Sequence, residues 1–447
     1  MNDSVPTVRA APRPKQPSAC PGLMRIVPAR DGGLCRIRLA GGELSANQAR
    51  VIAGVSFEFG SGFIDATNRA NLQVRGVREE SHDALVSRLI DAGLGPETAA
   101  SDDLRNVMLS PLAGLDPHAL LNTVPLAADL TRQMQRDVCL QALSPKFSLL
   151  LDGGEQLAML DHPHDVWLSA VSKHEMAFGL GGCPPTRPAD RPALATVSPS
   201  QVPALIGAIL HAFLDLASPE HTRMRDLLTA FSIDDFLGNV QGRLDFALTT
   251  GRDGNEWRRL PSDARLRFGT HVQVMQGTRD VVCIGAQIPL GRLDAATLAA
   301  LAGLAPRLRL TPLQSVMLLD VPPDEASDVI SQLAALGLAI RHDDPIARLI
   351  ACTGSQGCAK GLADTKADAK QLARLMPFAA DVHLSGCTRS CAAAHRVETT
   401  LLAVAPGYYD LYRHAADDTH EGFGTLVAHH LTIEQAAGWR ARSTPDA

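Results

Sequence analysis

Apolar and polar positions follow a regular order in the first hundred residues. Along Leu34–Ala40, apolar residues alternate with Arg36 and Arg38, the period-two pattern of a half-buried strand. Ser45 is a suitable N-cap for a helix that runs to Gly54. Two further strands and a second helix, which Gly93 ends, are predicted at Phe63–Thr67, Leu72–Val77 and Glu80–Ala92. The predicted order is therefore β-α-β-β-α.

This unit occurs a second time in the chain. The segments Gly42–Ala46 and Gly291–Ala295 match at an offset of 249 residues. Thr67 matches Thr311 at an offset of 244, as if the second copy had lost five residues in one loop. Several matches in order at a nearly constant offset indicate a duplication. We therefore predict two half-repeats, at residues 20–98 and 249–342, that pair into one α+β domain.

Different segments follow each half-repeat. Residues 99–248 and 343–432 each contain the pattern of several strands and at least one helix, so we predict two more α+β domains. In the first, the expected elements are strands at Arg105–Ser110, Lys146–Leu151, Gln156–Leu160, Asp165–Val171 and Glu175–Leu180 and helices at His118–Val138 and Pro203–Leu216. In the second they are a helix at Thr365–Leu375 and strands at Val382–Ser385, Val397–Val404 and Tyr408–His414. Residues 1–19 are expected to be a mobile leader, and residues 433–447 a tail.

Charge and hydropathy exclude several classes of function. The 447 residues carry 42 Lys and Arg against 48 Asp and Glu, a net charge of −6 that argues against a nucleic-acid partner. The longest apolar stretch, Val202–Ala217, contains His211 and Asp215 and is shorter than the roughly 20 apolar residues of a bilayer span. We expect a buried helix there and no membrane association. The leader has no apolar core of a signal peptide, so a cytoplasmic location is expected.

Four of the nine cysteines lie within 40 residues. Cys352 and Cys358 form C-x5-C, and Cys387 and Cys391 form C-x3-C. Each iron of a [4Fe–4S] cluster needs one soft sulfur ligand, and two pairs of thiolates supply four. Zinc usually takes pairs separated by two to four residues, so C-x5-C fits zinc poorly. The sequence therefore predicts a [4Fe–4S] cluster bound by these four cysteines.

With these spacings the chain resembles the sulfite and nitrite reductase superfamily. Three further segments carry the resemblance: Thr67–Gly76, which is similar to that superfamily's T-x-R-x-N-x-Q motif; Arg105–Gly114, similar to its second arginine segment; and Pro145–Phe147, similar to its P-x-K-F strand. The resemblance implies two ferredoxin-like half-repeats paired into one domain and two α+β domains that bind the prosthetic groups.

Within the superfamily the sequence is most similar to the precorrin-3B synthases of aerobic cobalamin synthesis. The segment Cys20–Ala29, followed by Asp31–Arg36, resembles the C-P-G-L…P-A-x-D-G-G sequence with which that family begins. Sirohaem-dependent reductases hold an anionic substrate with two lysines as K-x-K. Here Lys146 is present, but position 148 is Ser148. The loss of one of two cations disfavours sulfite or nitrite as the substrate.

The resemblance also implies roles for individual residues. The arginines that match Arg69 and Arg105 bind tetrapyrrole carboxylates in sirohaem enzymes, and precorrin-3A is itself a polycarboxylate tetrapyrrole. Guanidinium groups suit this task because they pair with carboxylates in a bidentate manner. We therefore expect Arg69 and Arg105 to bind the substrate and Lys146 to be catalytic. Further candidates for substrate binding are Arg25, Arg75, Asn71 and Gln73.

The implied reaction inserts one atom of O2 at C20 of precorrin-3A and closes a γ-lactone, with water as the other product. The resemblance implies a mononuclear non-haem iron for oxygen activation. Such irons often have two His and one carboxylate as ligands. Candidate groups are His162, His164 and Asp165; His342 with Asp343 and Asp344; and His383 with His395. Electrons would come from a separate donor such as ferredoxin or a flavin reductase, with NADH as an indirect source.

Two other functions stay open. A sirohaem-dependent sulfite or nitrite reductase would bind sirohaem, with Cys391 bridging the cluster and the haem iron. A non-enzymatic Fe–S electron carrier or tetrapyrrole-binding protein is the third possibility, although a duplicated scaffold with several arginines exceeds what a carrier needs.

Overall fold

The computed structural model describes residues 20–248, 256–273, 280–376, 378–414 and 422–442. These residues form four five-stranded sheets with helices packed on them. The expected leader at residues 1–19 lies outside the described part of the chain.

Both half-repeats contribute strands to the first two sheets. In spatial order the first sheet contains β1 (Val27–Ala29), β2 (Gly32–Ile37), β5 (Leu72–Val77), β4 (Phe63–Ala66) and β13 (Arg292–Asp294). The second contains β11 (Gly269–Val272), β12 (Val282–Gln287), β15 (Ser315–Val321), β14 (Arg307–Leu310) and β3 (Glu43–Ser45). The two orders match position by position, which is the predicted duplication.

Each half-repeat gives one short strand to the sheet of the other. Strand β3 of the first half pairs with β14, with Leu44 opposite Leu308, and β13 of the second half pairs with β4, with Leu293 opposite Ile64. A tight turn precedes each exchanged strand. Gly42 and Gly291 have positive φ angles of 76° and 66° there, and a Cβ at Gly42 would lie 2.2 Å from a backbone oxygen.

Equivalent helices follow the exchanged strands and share one core. They are α1 (Ala46–Phe59) and α7 (Ala295–Leu304), which pack on each other, and each half-repeat adds a second helix, α2 (His82–Asp91) or α8 (Ala326–Ala335). Ser45 caps α1 in a capping box with Gln48, as predicted. Asp294 caps α7 at the matching position by accepting from Thr297 N. A single hydrophobic cluster contains side chains from both halves.

The two remaining sheets also share one topology. The third sheet has the order β10 (Ala195–Val197), β9 (Met176–Gly182), β8 (His164–Ala170), β7 (Leu149–Asp152) and β6 (Val107–Leu109). The fourth has the order β16 (Leu349–Ala351), β17 (Val382–Ser385), β18 (Thr399–Ala405), β19 (Tyr408–Arg413) and β20 (Thr425–Leu431). In each sheet, the first three strands along the chain pair in parallel. The fourth strand pairs antiparallel with the third, and the fifth pairs antiparallel with the fourth.

Helices cover these two sheets. The third sheet packs against α3 (Val124–Arg136), α4 (Val202–Leu216), α5 (Met224–Leu227) and α6 (Ile233–Gln241), and the fourth against α9 (Thr365–Leu375) and α10 (Ile433–Arg442). By length and composition, one helical segment in the described residues, Pro199–Leu216, could cross a membrane. Eight of its side chains are buried in the core of the third-sheet domain, so it is the buried helix that the sequence predicted.

Two expectations were wrong. The strand expected at Gln156–Leu160 is an irregular segment outside the sheet, which begins with a bend. Side chains bind its backbone instead: Gln156 N donates to Asp116 and Ala158 N donates to Ser262 Oγ. Residues 433–442 are not a loose tail. They form α10, which buries Ile433, Ala436 and Ala437 against the fourth sheet.

Candidate functional site

The four clustered cysteines lie at one edge of the fourth sheet. Cys352 follows β16, and Cys387 follows β17, two neighbouring parallel strands whose carboxyl ends meet at the same edge. Cys352 N donates to Leu384 O at 3.3 Å, and Cys358 N donates to Gly354 O at 2.9 Å. The sheet and one tight turn therefore position both cysteine pairs.

The surroundings of the thiols fit a [4Fe–4S] cluster. Burial raises the pKa of Cys391, and the charges of Cys387, Cys352 and Cys358 raise it further, so the other three thiols lie in the surroundings of Cys391. All four are free thiols. Gly386 N donates to Cys352 Sγ at 3.2 Å, the type of bond that stabilises cluster thiolates. When bound, the cluster would supply electrons one at a time.

Arg69 lies in the turn between β4 and β5, next to the cysteine loops. The neighbouring Asn68 Nδ2 donates to Cys391 O at 3.4 Å. Arg69 Nη1 is buried without a hydrogen-bond partner. Burial, followed by the nearby charge of Arg223, lowers the pKa of Arg69 to about 10. A buried guanidinium with an unused donor is suited to bind an anionic group of a ligand.

Two arginines that sequence reasoning had not singled out lie beside Arg69. The pKa of Arg36 is lowered to about 10 by burial and by Arg38, and Cys391 is among the groups that raise it. With its amide oxygen towards Arg36, Gln73 accepts from Nε and Nη2 at 3.1 and 2.8 Å. Arg223 uses its Nε for Asp165, at 2.9 Å from both oxygens. Gln73 thus positions a cation instead of facing the ligand itself.

Two buried histidines complete this cluster. The rings of His162 and His164 are stacked with centroids 5.1 Å apart, and none of their four nitrogens has a hydrogen-bond partner. Burial lowers both pKa values well below the usual range, and Arg69 lowers them further, so both imidazoles are neutral. His395, from the fourth-sheet domain, also lowers the pKa of His162. Unpaired buried nitrogens at this density indicate a site for a polar ligand.

An acidic pair binds the other arginines of this region. Asp102 and Asp103 are buried in the helical turn Ala99–Leu104. Arg25 makes two bonds to Asp103, at 2.9 and 3.1 Å, and Arg38 Nη2 bonds to the same carboxylate at 3.1 Å. Arg105 donates to Asp102 at 3.2 Å and to two backbone oxygens. Arg25 and Arg105, both expected to bind substrate, are therefore paired with carboxylates of the protein itself.

Arg75 and Asn71 also hold structural contacts. Arg75 is buried, pairs with Asp31 at 2.7 and 2.9 Å, and donates to Gly357 O in the C-x5-C loop at 3.0 Å. It connects the first half-repeat to the cysteine loop. Asn71 Oδ1 accepts from Leu39 N at 2.9 Å and so fixes the end of β2 against β5. These contacts place both residues in the walls of the site.

Lys146 and Ser148 differ in their surroundings. Lys146 is exposed three residues before β7. Ser148 is buried, and its backbone N donates to Asp165 at 2.8 Å. Asp165 also accepts from Arg223 and from Met224 N at 2.7 Å. Position 148 therefore supplies no cation.

None of the three groups considered for a mononuclear iron fits the pattern of two His and a free carboxylate. Asp165 is fully occupied, as described above. Asp343 is exposed and pairs with Arg341. In the residues described, no carboxylate forms a metal-binding group of three with His383 and His395. Over that same part of the chain, no three His, Cys, Asp or Glu side chains converge on a single ion. The candidate groups in the described residues therefore do not fit a mononuclear iron.

Comparison with known proteins identifies the class to which this fold and site belong. The model described as the nitrite/sulfite reductase ferredoxin-like half domain matches twice, at residues 27–92 and 274–336. The model described as the nitrite and sulphite reductase 4Fe-4S domain matches residues 100–248, whereas the four cysteines lie further along the chain. Together these matches cover more than half of the residues. The chain belongs to the nitrite and sulfite reductase family.

Relatives within this family have different activities. The chain is 31% identical to a precorrin-3B synthase from a Sinorhizobium species over 403 residues, which cover 87% of this chain and 81% of that protein. It is also 31% identical to the chloroplastic ferredoxin–nitrite reductase of Zea mays over 391 residues, which cover 80% of this chain and 67% of the relative. The chain covers 64% of the length of the corresponding enzyme from Spinacia oleracea. It thus spans about two thirds of the plant reductases.

The fold is also that of a solved structure. The NirA protein of Mycobacterium tuberculosis superimposes with a TM-score of 0.75 at 23% identity, over 92% of this chain and 80% of that one. This agreement confirms the predicted α+β architecture of paired half-repeats with two further domains.

Proposed function

We propose that the protein is a precorrin-3B synthase, an O2-dependent monooxygenase that hydroxylates precorrin-3A at C20 with formation of a γ-lactone. One oxygen atom of O2 enters the macrocycle. The other oxygen atom takes up two electrons and two protons and leaves as water. The electrons would come from a separate donor such as ferredoxin or a flavin reductase, ultimately from NADH, in the cytoplasm.

The observation that carries this proposal is the incompletely paired cluster of Arg36, Arg69 and Arg223 with His162 and His164. A polycarboxylate tetrapyrrole presents several separated anionic groups, and this cluster offers several separated donors. Neutral imidazoles can donate to a carboxylate or accept from a pyrrole N–H. The [4Fe–4S] cluster on the four cysteines would lie next to the same ligand, since Asn68 contacts Cys391 beside Arg69.

Two features favour a large organic ligand over a small inorganic anion. Asp102 and Asp103 pair with Arg25, Arg38 and Arg105 and offset two of their three positive charges. Position 148 is a buried serine bonded to Asp165. Both features reduce the positive field that would concentrate sulfite or nitrite. A sirohaem-dependent nitrite or sulfite reductase is the second candidate, and its support is the similarity to the plant nitrite reductases.

An absorption spectrum of the protein purified without oxygen, followed by solvent extraction, separates the two candidates. We expect a broad Fe–S band, no extractable macrocycle, and incorporation of one ¹⁸O atom into precorrin-3A under ¹⁸O2 with a reducing system. A Soret-type band with extractable sirohaem and turnover of nitrite or sulfite would overturn the proposal.

A further inference from the structure

The duplication reproduces the Arg69 turn in the second half-repeat. In the first copy, Thr67 N donates to Asn71 O at 2.9 Å and Arg69 N to Thr67 Oγ1 at 3.3 Å. In the second, Thr311 N donates to Ser315 O at 3.0 Å and Leu313 N to Thr311 Oγ1 at 3.2 Å. The φ angles also match, with 54° at Ala70 and 57° at Gln314. Leu313 therefore occupies the position of Arg69.

A cavity of about 620 Å³ lies against this second turn. Residues from the second half-repeat, the third-sheet domain and the fourth-sheet domain line it, so all three domains meet there. The volume lies within the roughly 300–1,000 Å³ of pockets that bind cofactors and other small molecules. Sheet register makes Gln287 the counterpart of Arg38, and Arg348 precedes β16 as Arg105 precedes β6. The cavity is thus the second copy of the Arg69 site.

The walls of the cavity combine apolar surface with cationic and unpaired polar groups. Leu160, Phe268 and Leu313 supply apolar surface. Gln287 is almost fully buried, and its Oε1 has no hydrogen-bond partner. Arg267 Nε is likewise buried without a partner, although its Nη2 donates to Ala347 O at 3.0 Å. These unused groups in a roomy cavity need a ligand or ordered water to satisfy them.

We propose that this cavity is a second binding site for a carboxylate-bearing tetrapyrrole. Five arginines line the cavity against three carboxylates, Asp161, Asp381 and Glu398, and this excess of positive charge favours an anionic ligand. The apolar walls favour a large planar one. Leucine in place of Arg69 makes the second site less cationic than the first, so it is expected to bind more weakly. The choice of ligand class rests on the proposed function, whereas the existence of the site rests on the cavity and the duplicated turn.

Titration with coproporphyrin III, a stable tetracarboxylate tetrapyrrole, tests the proposal on the full chain. We expect two sites per chain by calorimetry. Leu313→Trp fills the cavity and should leave one site. The matched control Leu260→Trp changes an exposed leucine outside the cavity and should retain two. Two sites in Leu313→Trp, or one site in the wild type that Leu313→Trp leaves unchanged, would overturn the second site.

A surface variant covers the case in which Leu313→Trp does not fold. Arg187 lines the cavity with an exposed side chain, and Arg187→Glu should weaken the second site by about three- to tenfold without affecting the first. Arg132→Glu, on an exposed helix face elsewhere, is the control. Equal affinity in the two variants would contradict the proposal. Arg69→Ala tests the first site separately. If the protein has only one site, and Leu313→Trp abolishes binding there, the second site exists and the function proposed for the first site is refuted.

Discussion

Arg292 of the second half-repeat bonds to Asp65 of the first through Nε and Nη2, at 2.7 and 2.9 Å. The duplicated positions carry the same ion pair with its charges reversed: Glu43 occupies the position of Arg292, Arg309 that of Asp65, and they bond at 2.8 Å. Each pair fixes one exchanged strand to its host sheet. The two halves are related by a pseudo-twofold axis. Because the two ion pairs have opposite polarity, each exchanged strand matches only the sheet of the other half, and this specifies how the two halves assemble.

Asp65→Asn should destabilise the protein strongly. Asp65 is buried, and its carboxylate faces Arg292, whose charge would lose its partner, and Arg75, which would keep its bonds to Asp31. Loss of one partner from a buried ion pair typically costs about 3–5 kcal/mol. The free energy of unfolding from a denaturant titration measures the effect. Asp129→Asn, which breaks an exposed pair with Arg132, should cost about 1 kcal/mol or less, and comparable losses in both variants would contradict the importance of the strand-fixing pair.

Glu155 should make stability depend on pH. Burial, followed by the charge of Asp152, raises the pKa of Glu155 to about 8, from an ordinary value of 4.5. Between these values the folded protein retains a proton that the unfolded chain releases. The contribution of Glu155 to stability is therefore largest below pH 4.5 and falls as the pH rises towards 8, by up to about 1.4 kcal/mol per pH unit.

Glu155→Gln removes this titration. The difference in unfolding free energy between Glu155→Gln and the wild type should grow from pH 5 to pH 8 in favour of the variant. Asp152 is not changed, and its pKa stays low because Arg259 bonds to it at 2.7 and 3.1 Å. A difference that is constant over this pH range would show that Glu155 does not titrate there.

Cys391→Ser should prevent assembly of the [4Fe–4S] cluster and abolish activity together, because a hydroxyl is a poor ligand for cluster iron. Iron and sulfide analysis with the absorption spectrum measures the loss. Cys139→Ser, at an exposed cysteine far along the chain from the four clustered ones, is the control and should retain the full cluster. An active Cys391→Ser protein without a cluster would refute the Fe–S assignment.

Arg69→Ala should weaken tetrapyrrole binding while leaving the cluster spectrum unchanged. The substitution removes a charge-assisted hydrogen bond to the ligand. Such a bond is worth about 1.5–3 kcal/mol, or a roughly ten- to hundredfold change in Kd. Arg69→Lys should recover part of the affinity, since it restores the charge but not the planar fork. An unchanged Kd in a binding titration of Arg69→Ala would remove this residue from the site.

Local patterns predicted much of the fold. Strand β5 and helix α9 have the predicted bounds, Leu72–Val77 and Thr365–Leu375, because alternation and a clear start signal operate over neighbouring residues. The duplication was visible for the same reason, since matched turns keep matched residues. The exchange of β3 and β13 was not visible, because a three-residue strand carries no information about which sheet it joins.

Residues of the candidate site could be predicted from the sequence only where they belong to a recognisable motif. Spacing alone identified the four cysteines. Arg36 and Arg223 were missed, although Arg36 alternates with buried apolar residues on β2, where a charged side chain has to find a partner or a ligand. Conversely, the involvement of Arg25 and Arg105 in ion pairs depends on Asp102 and Asp103, about 80 residues from Arg25 in the chain. Such pairing is decided by tertiary packing and leaves no mark on local sequence.

The exchanged strands constrain how such a protein can arise. A chain with only one half-repeat would lack the short fifth strand of its own sheet and would expose the edge of β4 or β14. It could complete that sheet only by lending its strand to a second identical chain, as in a domain-swapped homodimer. In two identical copies, both ion pairs would have the same polarity. The opposite polarities of Asp65–Arg292 and Arg309–Glu43 therefore require two halves of different sequence, as in this chain.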